Sequence, residues 1–270
     1  MPEGHTVHRL ARQHRATFGG RQVFADSPQG RFSAGAALIS GQVMSAAEAY
    51  GKHLFLGFAP GPRHRPRHWL HVHLGLYGKW RFGDGAPPEP RGAVRVRLVD
   101  DEHWAELRGP TACDVLTPAE QAAIVARLGP DPLRADAEPA LAAARVGRSR
   151  TGIGALLMQQ DVVAGVGNVY RAEVLFRAGL DPYRPGAALG EGVWDGIWAD
   201  LVVLLADGVR RGSIVTTRPE DRSRARGAVR REDAHYVYRR TGLPCRICAT
   251  PVLAEPLVGR TLYRCPTCQT

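Results

Sequence analysis

The chain has 270 residues and a formal net charge of +10 at pH 7. This length suffices for two packed domains and a small appendage, and the positive charge suits a polyanionic partner such as nucleic acid or an acidic membrane surface. No run approaches the length of a membrane span, and the N-terminus lacks the apolar core of a secretion signal. We therefore expect a cytoplasmic protein, in whose reducing environment clustered cysteines bind metal more often than they form disulfides.

The first four residues, Met1-Pro2-Glu3-Gly4, place a potential nucleophile beside an acid. Proline is small enough for Met1 to be removed, which would expose a secondary α-amine next to the Glu3 carboxylate. Apolar residues then recur at helical spacing, so a helix is predicted to start after Gly4, and its positive end would favour the unprotonated amine. Such amines form Schiff bases with aldehyde-like carbons. The alternative is a frayed terminus with no chemical role.

Residues 20 to 110 alternate short β-rich runs with turns rich in glycine and proline, which predicts an antiparallel β-sandwich. The predicted strands include Arg21–Phe24, His53–Phe58, Trp69–Val72 and Val94–Leu98. Loops are predicted over Ala59–Arg67 and Gly83–Gly92.

The pattern changes to helix after Thr117-Pro118, beginning with a helix over Ala119–Leu128, and a break at Gly129–Pro132 indicates a hinge. An arginine-dense, weakly periodic segment, Gly212–Asp233, is predicted to be a mobile loop. The fold class is therefore a multi-domain α+β protein. We predict a β-sandwich domain over 1–128 that includes the N-terminal helix, a helical domain over 129–234 and a C-terminal hairpin over 235–270.

Three patterns in the first domain are open to a functional and to a structural interpretation. Lys52 follows Gly51 at the entry to an apolar strand, where it could act on a phosphate or a proton, or simply lie in solvent. His71 and His73 lie on one face of a strand, where they could bind metal or be an ordinary surface pair. Leu76-Tyr77 forms a turn tip that could fill the space left by an extruded base, or pack in the core.

The helical domain contains a glycine-rich turn, Ala164–Asn168, between two predicted helices. One helix is predicted to close over Leu156–Gln160 and the next to open over Val169–Arg177. Gly165 and Gly167 allow close backbone approach, and Asn168 is expected to be a helix N-cap. Free amides at a helix start bind anions, including phosphate.

The C-terminal region contains two C-x-x-C pairs, Cys245–Cys248 and Cys265–Cys268, separated by sixteen residues. Four thiolates at this spacing predict a closed tetrahedral zinc site, which is structural because it leaves no coordination position open. Between the pairs, residues 258–261 are predicted to form a hairpin tip that projects Arg260. The remaining cysteine, Cys113, is expected to be a small core residue.

Together these residues closely resemble the formamidopyrimidine-DNA glycosylase and endonuclease VIII family of base-excision repair enzymes. The resemblance spans nearly the whole chain in order and rests on Met1–Gly4, Gly51-Lys52, Leu76-Tyr77, Gly129–Asp131, Ala164–Asn168 with Tyr170 and Glu173, Arg260, and Cys265–Gln269. It implies an N-terminal β-sandwich, a helix-two-turn-helix domain and a β-hairpin zinc finger. Double-stranded DNA with a damaged base or an abasic site would lie in the cleft between the domains.

The family pattern implies catalytic roles for four residues. Pro2 would be the Schiff-base nucleophile and Glu3 the acid that assists opening of the damaged sugar. Lys52 would act in β-elimination, while Arg260 would hold the phosphate at the lesion and assist δ-elimination. One structural zinc ion is implied, and this chemistry needs no redox cofactor.

The same resemblance implies the DNA contacts. Gly167 and Asn168 would contact phosphate from the helical turn, and Arg127 would contact DNA just before the hinge. Leu76 and Tyr77 would fill the gap left by the flipped nucleotide. A monomer that does not bind membranes, and that associates with the bacterial nucleoid through its function, is expected.

Smaller features of the sequence indicate the substrate preference. The Met-Pro-Glu-Gly start and the Leu76-Tyr77 pair resemble the endonuclease VIII branch, which prefers oxidised pyrimidines such as thymine glycol, over the branch that removes 8-oxoguanine. The sequence differs from the common pattern at His5-Thr6, where many members have Pro-Glu, and at Gly75, where some endonuclease VIII enzymes have glutamine. Some relatives with this start act mainly on abasic sites or single-stranded DNA. Two non-catalytic alternatives are a zinc-finger DNA-binding protein and an RNA-binding zinc-ribbon protein.

Overall fold

A computed structural model describes residues 2–224 and 227–270 of the chain. The helices are α1 Gly4–Phe18, α2 Ser33–Ile39, α3 Pro118–Val125, α4 Pro139–Gly147, α5 Ile153–Leu156, α6 Asn168–Arg177 and α7 Val193–Arg211. The strands are β1 Gln22–Asp26, β2 Gln42–Tyr50, β3 His53–Ala59, β4 His68–His73, β5 Lys79–Asp84, β6 Val94–Val99, β7 His103–Arg108, β8 Ala112–Leu116, β9 Leu253–Leu257 and β10 Arg260–Arg264. Within these described residues, every helix is too short or too polar to cross a bilayer.

The chain divides into two compact units, one ending at Arg127 and the other starting at Leu128. In the first unit the helix predicted after Gly4 is confirmed. Its apolar positions, Val7, Leu10, Ala11 and Phe18, are all buried and join a core formed with the strands. Burying each larger side chain of this set contributes about 1.5–3 kcal/mol, so the amphipathic pattern is sufficient to attach α1 to the sheet.

The first unit is an antiparallel β-sandwich, as the strand pattern predicts. The strand order is β5-β7-β6-β1-β2-β3-β4-β8, and every pairing is antiparallel. Strand β1 joins the two layers, because residues 22–23 pair with β2 whereas residues 24–26 pair with β6. Cys113 is buried in this core, and burial raises the pKa of its thiol to about 12, which fits an inert packing residue.

The second unit is built around α6, which is buried on nearly every side between residues 168 and 176. Helices α4, α5 and α7 supply most of the surrounding apolar side chains. A smaller apolar cluster beneath the C-terminal hairpin contains Phe176, Tyr236 and Val237 with two of the cysteines. A helix buried on all sides must pair its polar side chains internally, because an unpaired buried charge is costly.

Several predicted boundaries differ from the structure. Strand β5 extends to Asp84, so Gly83 belongs to a strand and the predicted loop begins later. Helix α5 ends at Leu156, which leaves Leu157–Gln160 in the following turn. The predicted loop Gly212–Asp233 contains short 3-10 turns at Pro219–Asp221 and Arg231–Asp233, and its residues 225–226 lie outside the described part.

Candidate functional site

Helix α1 packs along β2 in a fixed direction. Near the end of the helix, the Arg15 guanidinium donates to the carbonyl oxygen of Ala47 at 2.8 Å. Just beyond the helix, the N–H of Gly20 donates to the carbonyl oxygen of Met44 at 2.9 Å. Moving toward the N-terminus of α1 therefore moves toward the C-terminal end of β2.

The start of α1 consequently lies at the same end of the first unit as the β2–β3 turn. From the Arg15 contact back to Gly4 the helix covers about 16 Å at ~1.5 Å per residue. From Ala47 to Gly51 the strand covers about 13 Å at ~3.3 Å per residue. Pro2 and Glu3 therefore approach the hairpin turn that carries Lys52.

Pro2, Glu3 and Lys52 differ in burial and in local backbone geometry. Glu3 is fully buried and its carbonyl oxygen accepts hydrogen bonds from the first turn of α1, whereas Pro2 is half-buried. Lys52 is the second residue of a two-residue hairpin turn, and Gly51 takes the positive φ of +57° that such a turn requires at its first position. Met1, on whose removal the amine depends, lies outside the described residues.

Lys52 is next to His53, which shares one face of the sheet with His71 and His73. The sequence analysis placed only His71 and His73 on that face. In the antiparallel pairing of β3 with β4, His53 is opposite His73 and Phe55 is opposite His71, so these side chains share one face. Nδ1 of His53 lies 2.9 Å from Nε2 of His71. Burial, followed by the charge of Lys52, lowers the pKa of His73, which places the ammonium near that ring.

The predicted DNA contact Arg127 reaches the same face. Burial is the main cause that lowers the pKa of His53 to about 3, and the charges of His71, His73, Arg127 and Lys52 lower it further. Arg127 is exposed and ends the first unit. Two of the predicted functional cations, Lys52 and Arg127, therefore lie close enough to His53 to lower its pKa.

The turn after β4 carries the predicted gap-filling pair. Leu76 is 44 % exposed and Tyr77 is 84 % exposed, so the alternative that they pack in the core is wrong. The N–H of Gly78 donates to the carbonyl oxygen of Leu74 at 2.9 Å and closes the turn. A large apolar side chain and an aromatic ring exposed at a tight turn tip contribute little to the core of this unit, which leaves them available for a partner.

The glycine-rich turn of the second unit is braced from both sides. Gln160 donates to the carbonyl oxygen of Val166 at 3.0 Å and accepts from the N–H of Gly165 at 3.0 Å. The N–H of Gly129 donates to the Gln160 carbonyl oxygen at 2.8 Å. A Cβ on Gly129 would lie 2.5 Å from the carbonyl oxygen of Asp161, so only glycine allows this approach.

The predicted N-cap role of Asn168 is wrong. Gly167 is the N-cap, with extended backbone angles, and Asn168 is the first residue of α6. Its side chain is buried and points to the hairpin, where Nδ2 donates to the carbonyl oxygen of Thr261 at 2.9 Å. Asn168 therefore lies beside the hairpin residue that follows Arg260, and the two predicted phosphate-binding residues are brought into one region of the second unit.

The predicted hairpin tip between the cysteine pairs is confirmed. Strands β9 and β10 pair with Leu257 opposite Arg260, so the two-residue turn is Val258-Gly259, and both residues have positive φ. Arg260 is exposed at the base of this turn. The hairpin is held at its far end by Arg264, which donates to Glu255 across the strands at 3.0 Å.

The four cysteines of the two C-x-x-C pairs converge in the structure. All four Sγ atoms lie within 4.8 Å of one another, and within the described chain they are the one group of three or more His, Cys, Asp or Glu side chains close enough to hold a metal ion. Sγ of Cys245 lies 3.8 Å from that of Cys268, and Sγ of Cys248 lies 3.4 Å from that of Cys265. A tetrahedral site with Zn–S bonds of ~2.3 Å has sulfur atoms about 3.8 Å apart, so this cluster fits a zinc ion.

Comparisons with known proteins agree with this geometry. The formamidopyrimidine-DNA glycosylase N-terminal domain matches residues 1–110, and the formamidopyrimidine-DNA glycosylase H2TH domain matches residues 128–219. "Endonuclease 8 1" of Mycobacterium tuberculosis is 50% identical over 274 residues, covering 100% of both chains. The chain belongs to the formamidopyrimidine-DNA glycosylase family. The formamidopyrimidine-DNA glycosylase of Geobacillus kaustophilus is 33% identical over 87% of this chain and 84% of its own.

Solved structures of glycosylases in this family share the fold. The MutM (Fpg) protein of Thermus thermophilus aligns with a TM-score of 0.75 and 29% identity, covering 99% of this chain and 98% of that one. The Lactococcus lactis Fpg protein, solved with DNA containing N7-benzyl-Fapy-dG, aligns with a TM-score of 0.80 and 20% identity over 99% of both chains. The predicted combination of β-sandwich, helix-two-turn-helix domain and cysteine hairpin is thereby confirmed.

Arg171 of this glycosylase was not singled out from the sequence. Its side chain is fully buried on α6 and donates to Oδ1 of Asn168, with longer contacts to the carbonyl oxygens of Thr261 at 3.3 Å and Gly154 at 3.4 Å. An arginine is an unusual residue to bury, and burial is tolerated here because several acceptors surround it. A basic residue on an otherwise apolar helix face was the only sequence signal for it.

Glu173 and Gln269 connect the hairpin region to the helical core of the glycosylase. The fully buried Glu173 carboxylate accepts hydrogen bonds from the N–H groups of residues 236, 237 and 238, at 2.7, 2.9 and 2.8 Å. Gln269 accepts from the N–H of Cys265 at 2.9 Å and donates to the carbonyl oxygen of Leu180 at 3.1 Å. Both belong to the motifs that carried the resemblance, and the structure shows what they hold in place.

Proposed function

We propose that this chain is a bifunctional DNA glycosylase and AP lyase of base-excision repair that acts through a Schiff base on Pro2. The observation that carries the proposal is the placement of Pro2 and the buried Glu3 at the same end of the sandwich as the Lys52 turn. An amine, an acid and a second cationic amine are the groups that base release and β-elimination require.

The chemistry follows from the residue types. The secondary amine of Pro2 attacks C1′ of the damaged sugar, the bond from C1′ to the base breaks and the base leaves with its electron pair. The resulting iminium cannot lose its charge by deprotonation. The iminium withdraws electrons, so the neighbouring C2′ proton becomes acidic and the 3′ phosphate leaves. Glu3 supplies the proton that opens the sugar, and Lys52 assists the elimination. Loss of the base therefore yields the covalent iminium, and cleavage of the strand follows from that intermediate.

DNA is held by the second unit and by the exposed turn of the first. The region around Asn168 and Arg260 combines a helix N-terminus with an exposed guanidinium, which suits a phosphate flanking the lesion and assists δ-elimination. Arg127 adds a further contact, and the turn at Gly167 is proposed to contact phosphate as well. Leu76 and Tyr77 are proposed to fill the gap in the stack when the damaged nucleotide leaves it.

We assign the cysteine cluster one structural zinc ion, because all four ligand positions are filled by protein sulfur. The ion would stabilise the hairpin that presents Arg260. The chemistry above is carried by the N-terminal amine and by side chains, and it uses no redox cofactor. The protein is proposed to act as a monomer on damaged double-stranded DNA, with single-stranded DNA as an additional substrate.

The proposed substrates are oxidised pyrimidines such as thymine glycol. This choice rests on the exposed Leu76-Tyr77 pair and on the name of the 50%-identical relative, "Endonuclease 8 1". An 8-oxoguanine or formamidopyrimidine substrate is the second candidate, because two relatives named formamidopyrimidine-DNA glycosylase are 33% and 34% identical over 87% and 81% of this chain.

The test is borohydride trapping on duplexes that carry thymine glycol, 8-oxoguanine or an abasic site, after mass spectrometry has established that Met1 is absent. The chain contains only two lysines, Lys52 and Lys79. A variant with both replaced by alanine should still form the covalent adduct. Without lysine side chains, the amine of the N-terminal proline is the group that remains to form a Schiff base. Pro2→Gly should lose most lyase activity and keep DNA binding, and Glu3→Gln should lose base excision but still cleave preformed abasic sites.

The outcomes separate the candidate functions. Preferential trapping on thymine glycol supports the pyrimidine assignment, and preferential trapping on 8-oxoguanine supports the second candidate. Binding to every duplex without an adduct on any of them would refute the lyase and support a non-catalytic DNA-binding protein. Lys79→Ala alone is the matched control, since this exposed residue lies at the start of β5.

A further inference from the structure

His53 and His71 form a hydrogen-bonded imidazole pair beside Lys52, and the reaction described above does not use it. The rings lie nearly parallel, at 16° with centroids 5.2 Å apart, and the His71 ring also stacks on Phe55 at 5.0 Å. Burial is the main cause that lowers the pKa of His53 to about 3 and of His71 to about 4. Both rings are therefore neutral at physiological pH, and one of them must donate the shared proton while the other accepts it.

The surroundings of His71 decide which ring donates. Its buried Nδ1 lies 4.0 Å from a carboxylate oxygen of Asp114 on β8. A proton on this nitrogen is attracted by the carboxylate, whereas a bare lone pair would be repelled. Nε2 of His71 is then the acceptor, so His53 carries its proton on Nδ1. It follows that Nε2 of His53 is an unprotonated acceptor.

The other charged groups around His53 are cations. Lys52 precedes it in the turn, and Arg127 lies near enough to lower its pKa. His73 on β4 is the third ring of the face, with its centroid 5.2 Å from that of His53. On α3, which packs against β4 and β8, Glu120 is used to cap its own helix through Thr117. An acceptor nitrogen of His53 therefore has an ammonium as its immediate neighbour in the chain.

We propose that His53 is a positioning residue for Lys52: its Nε2 accepts a hydrogen bond from the Lys52 ammonium, and His71 holds the ring in the tautomer that makes this possible. The inference rests on the proposed lyase function, in which Lys52 assists elimination. Because the lysine lies at the tip of a two-residue turn and has a long side chain, a fixed acceptor restricts where its ammonium can go. A neutral acceptor does so without neutralising the positive charge that assists a phosphate leaving group.

The experiment compares Schiff-base formation with strand cleavage on a duplex that holds a preformed abasic site, under single-turnover conditions. His53→Phe keeps the ring stack and removes the acceptor, while His53→Gln keeps an acceptor oxygen. His53→Phe should slow strand cleavage on the order of 10- to 100-fold, as misplacement of a reacting group does, and retain borohydride trapping at Pro2. His53→Gln should recover most of the cleavage rate. His68→Phe, which lies at the other end of β4 on the opposite face, is the matched control and should leave both steps unchanged.

Two further results decide the outcome. In a double-mutant cycle, His53→Phe should cause little additional loss when Lys52 is already alanine. The proposal would be overturned if the rate losses of His53→Phe and Lys52→Ala multiplied in the double variant, or if His53→Phe and His53→Gln cleaved at equal rates. If His53→Phe fails to fold, His71→Phe tests the same pair, because it preserves the stack on Phe55 and removes the acceptor of the His53 proton. Failure of the proposed function is distinguished by the wild-type protein, which would then neither trap nor cleave, and the inference would fall with it.

Discussion

The buried Glu173 carboxylate is a sensitive point of the second unit, and Glu173→Gln tests how far it holds the hairpin region in place. Oε1 accepts from the N–H groups of Val237 and Tyr238, and Oε2 accepts from the N–H of Tyr236 and the hydroxyl of Thr216. In glutamine one of these oxygens becomes an NH2 group that faces donors. The less costly choice replaces Oε2, because the Thr216 hydroxyl already has a second acceptor in the carbonyl oxygen of Ala234.

The expected loss can be worked out from this geometry. One backbone N–H remains buried without an acceptor, which costs about 1–3 kcal/mol, and two charge-assisted bonds become neutral at about 1 kcal/mol each. We therefore expect the local opening free energy of residues 236–238 to fall by about 3–5 kcal/mol. Hydrogen exchange followed by mass spectrometry should show at least about 100-fold faster exchange in this segment. Glu191→Gln is the matched control at an exposed position of the same unit. Unchanged exchange in Glu173→Gln would refute the reasoning.

Three further predictions concern other parts of the chain. Burial lowers the pKa of His14 to about 4, against the opposing effect of its hydrogen bond to Leu10. As the pH falls, the unfolded state therefore binds this proton first, and the free energy of unfolding should fall by up to about 3 kcal/mol between pH 6.5 and 4. In urea titrations the free energy of unfolding should depend less on pH in His14→Gln than in the wild type, and an identical dependence would contradict this. Gly75→Ala should destabilise the first unit by about 1–3 kcal/mol more than Gly85→Ala. Both glycines have positive φ, but only at Gly75 would a Cβ meet the Thr111 hydroxyl, at 1.9 Å. Equal melting temperatures of the two variants would argue against the clash. Removal of zinc by a chelator should abolish exchange protection in β9 and β10 and leave the sandwich protected, and a protected metal-free hairpin would disprove the zinc assignment.

The spacing of apolar residues along the chain was sufficient to predict helices and strands that have one buried face. The spacing of Val7, Leu10, Ala11 and Phe18 predicts α1 because a helix places these positions on one side, and all four are buried. The alternating Val94–Leu98 run predicts a strand for the same kind of reason. The C-x-x-C pairs predict their own convergence, since two such pairs at this spacing are typical of a tetrahedral zinc site.

Contacts between distant residues could not be predicted in this way. His53 and His71 are eighteen residues apart, and whether they meet depends on the register of β3 with β4, which the strand pattern alone leaves open. The error at Asn168 has a similar origin. A residue of this type before a predicted helix favours an N-cap, but its partner is the carbonyl oxygen of Thr261, ninety-three residues away. Propensity describes the preference of an isolated segment, and tertiary hydrogen bonds overrode it here.

The orientation of the Asn168 amide limits how this residue can contribute to phosphate binding. Arg171 can only donate hydrogen bonds, so the amide oxygen must face it, and the NH2 group therefore faces the Thr261 carbonyl oxygen. One of the two amide hydrogens is used there, and a single hydrogen is left for a phosphate. Since one amide hydrogen is a weak contact for a phosphate, we expect most of the attraction to come from the exposed guanidinium of Arg260. The hydrogen bond of Asn168 then serves mainly to join the start of α6 to the hairpin, so that the predicted phosphate-binding residue Arg260 keeps a fixed distance from the helix.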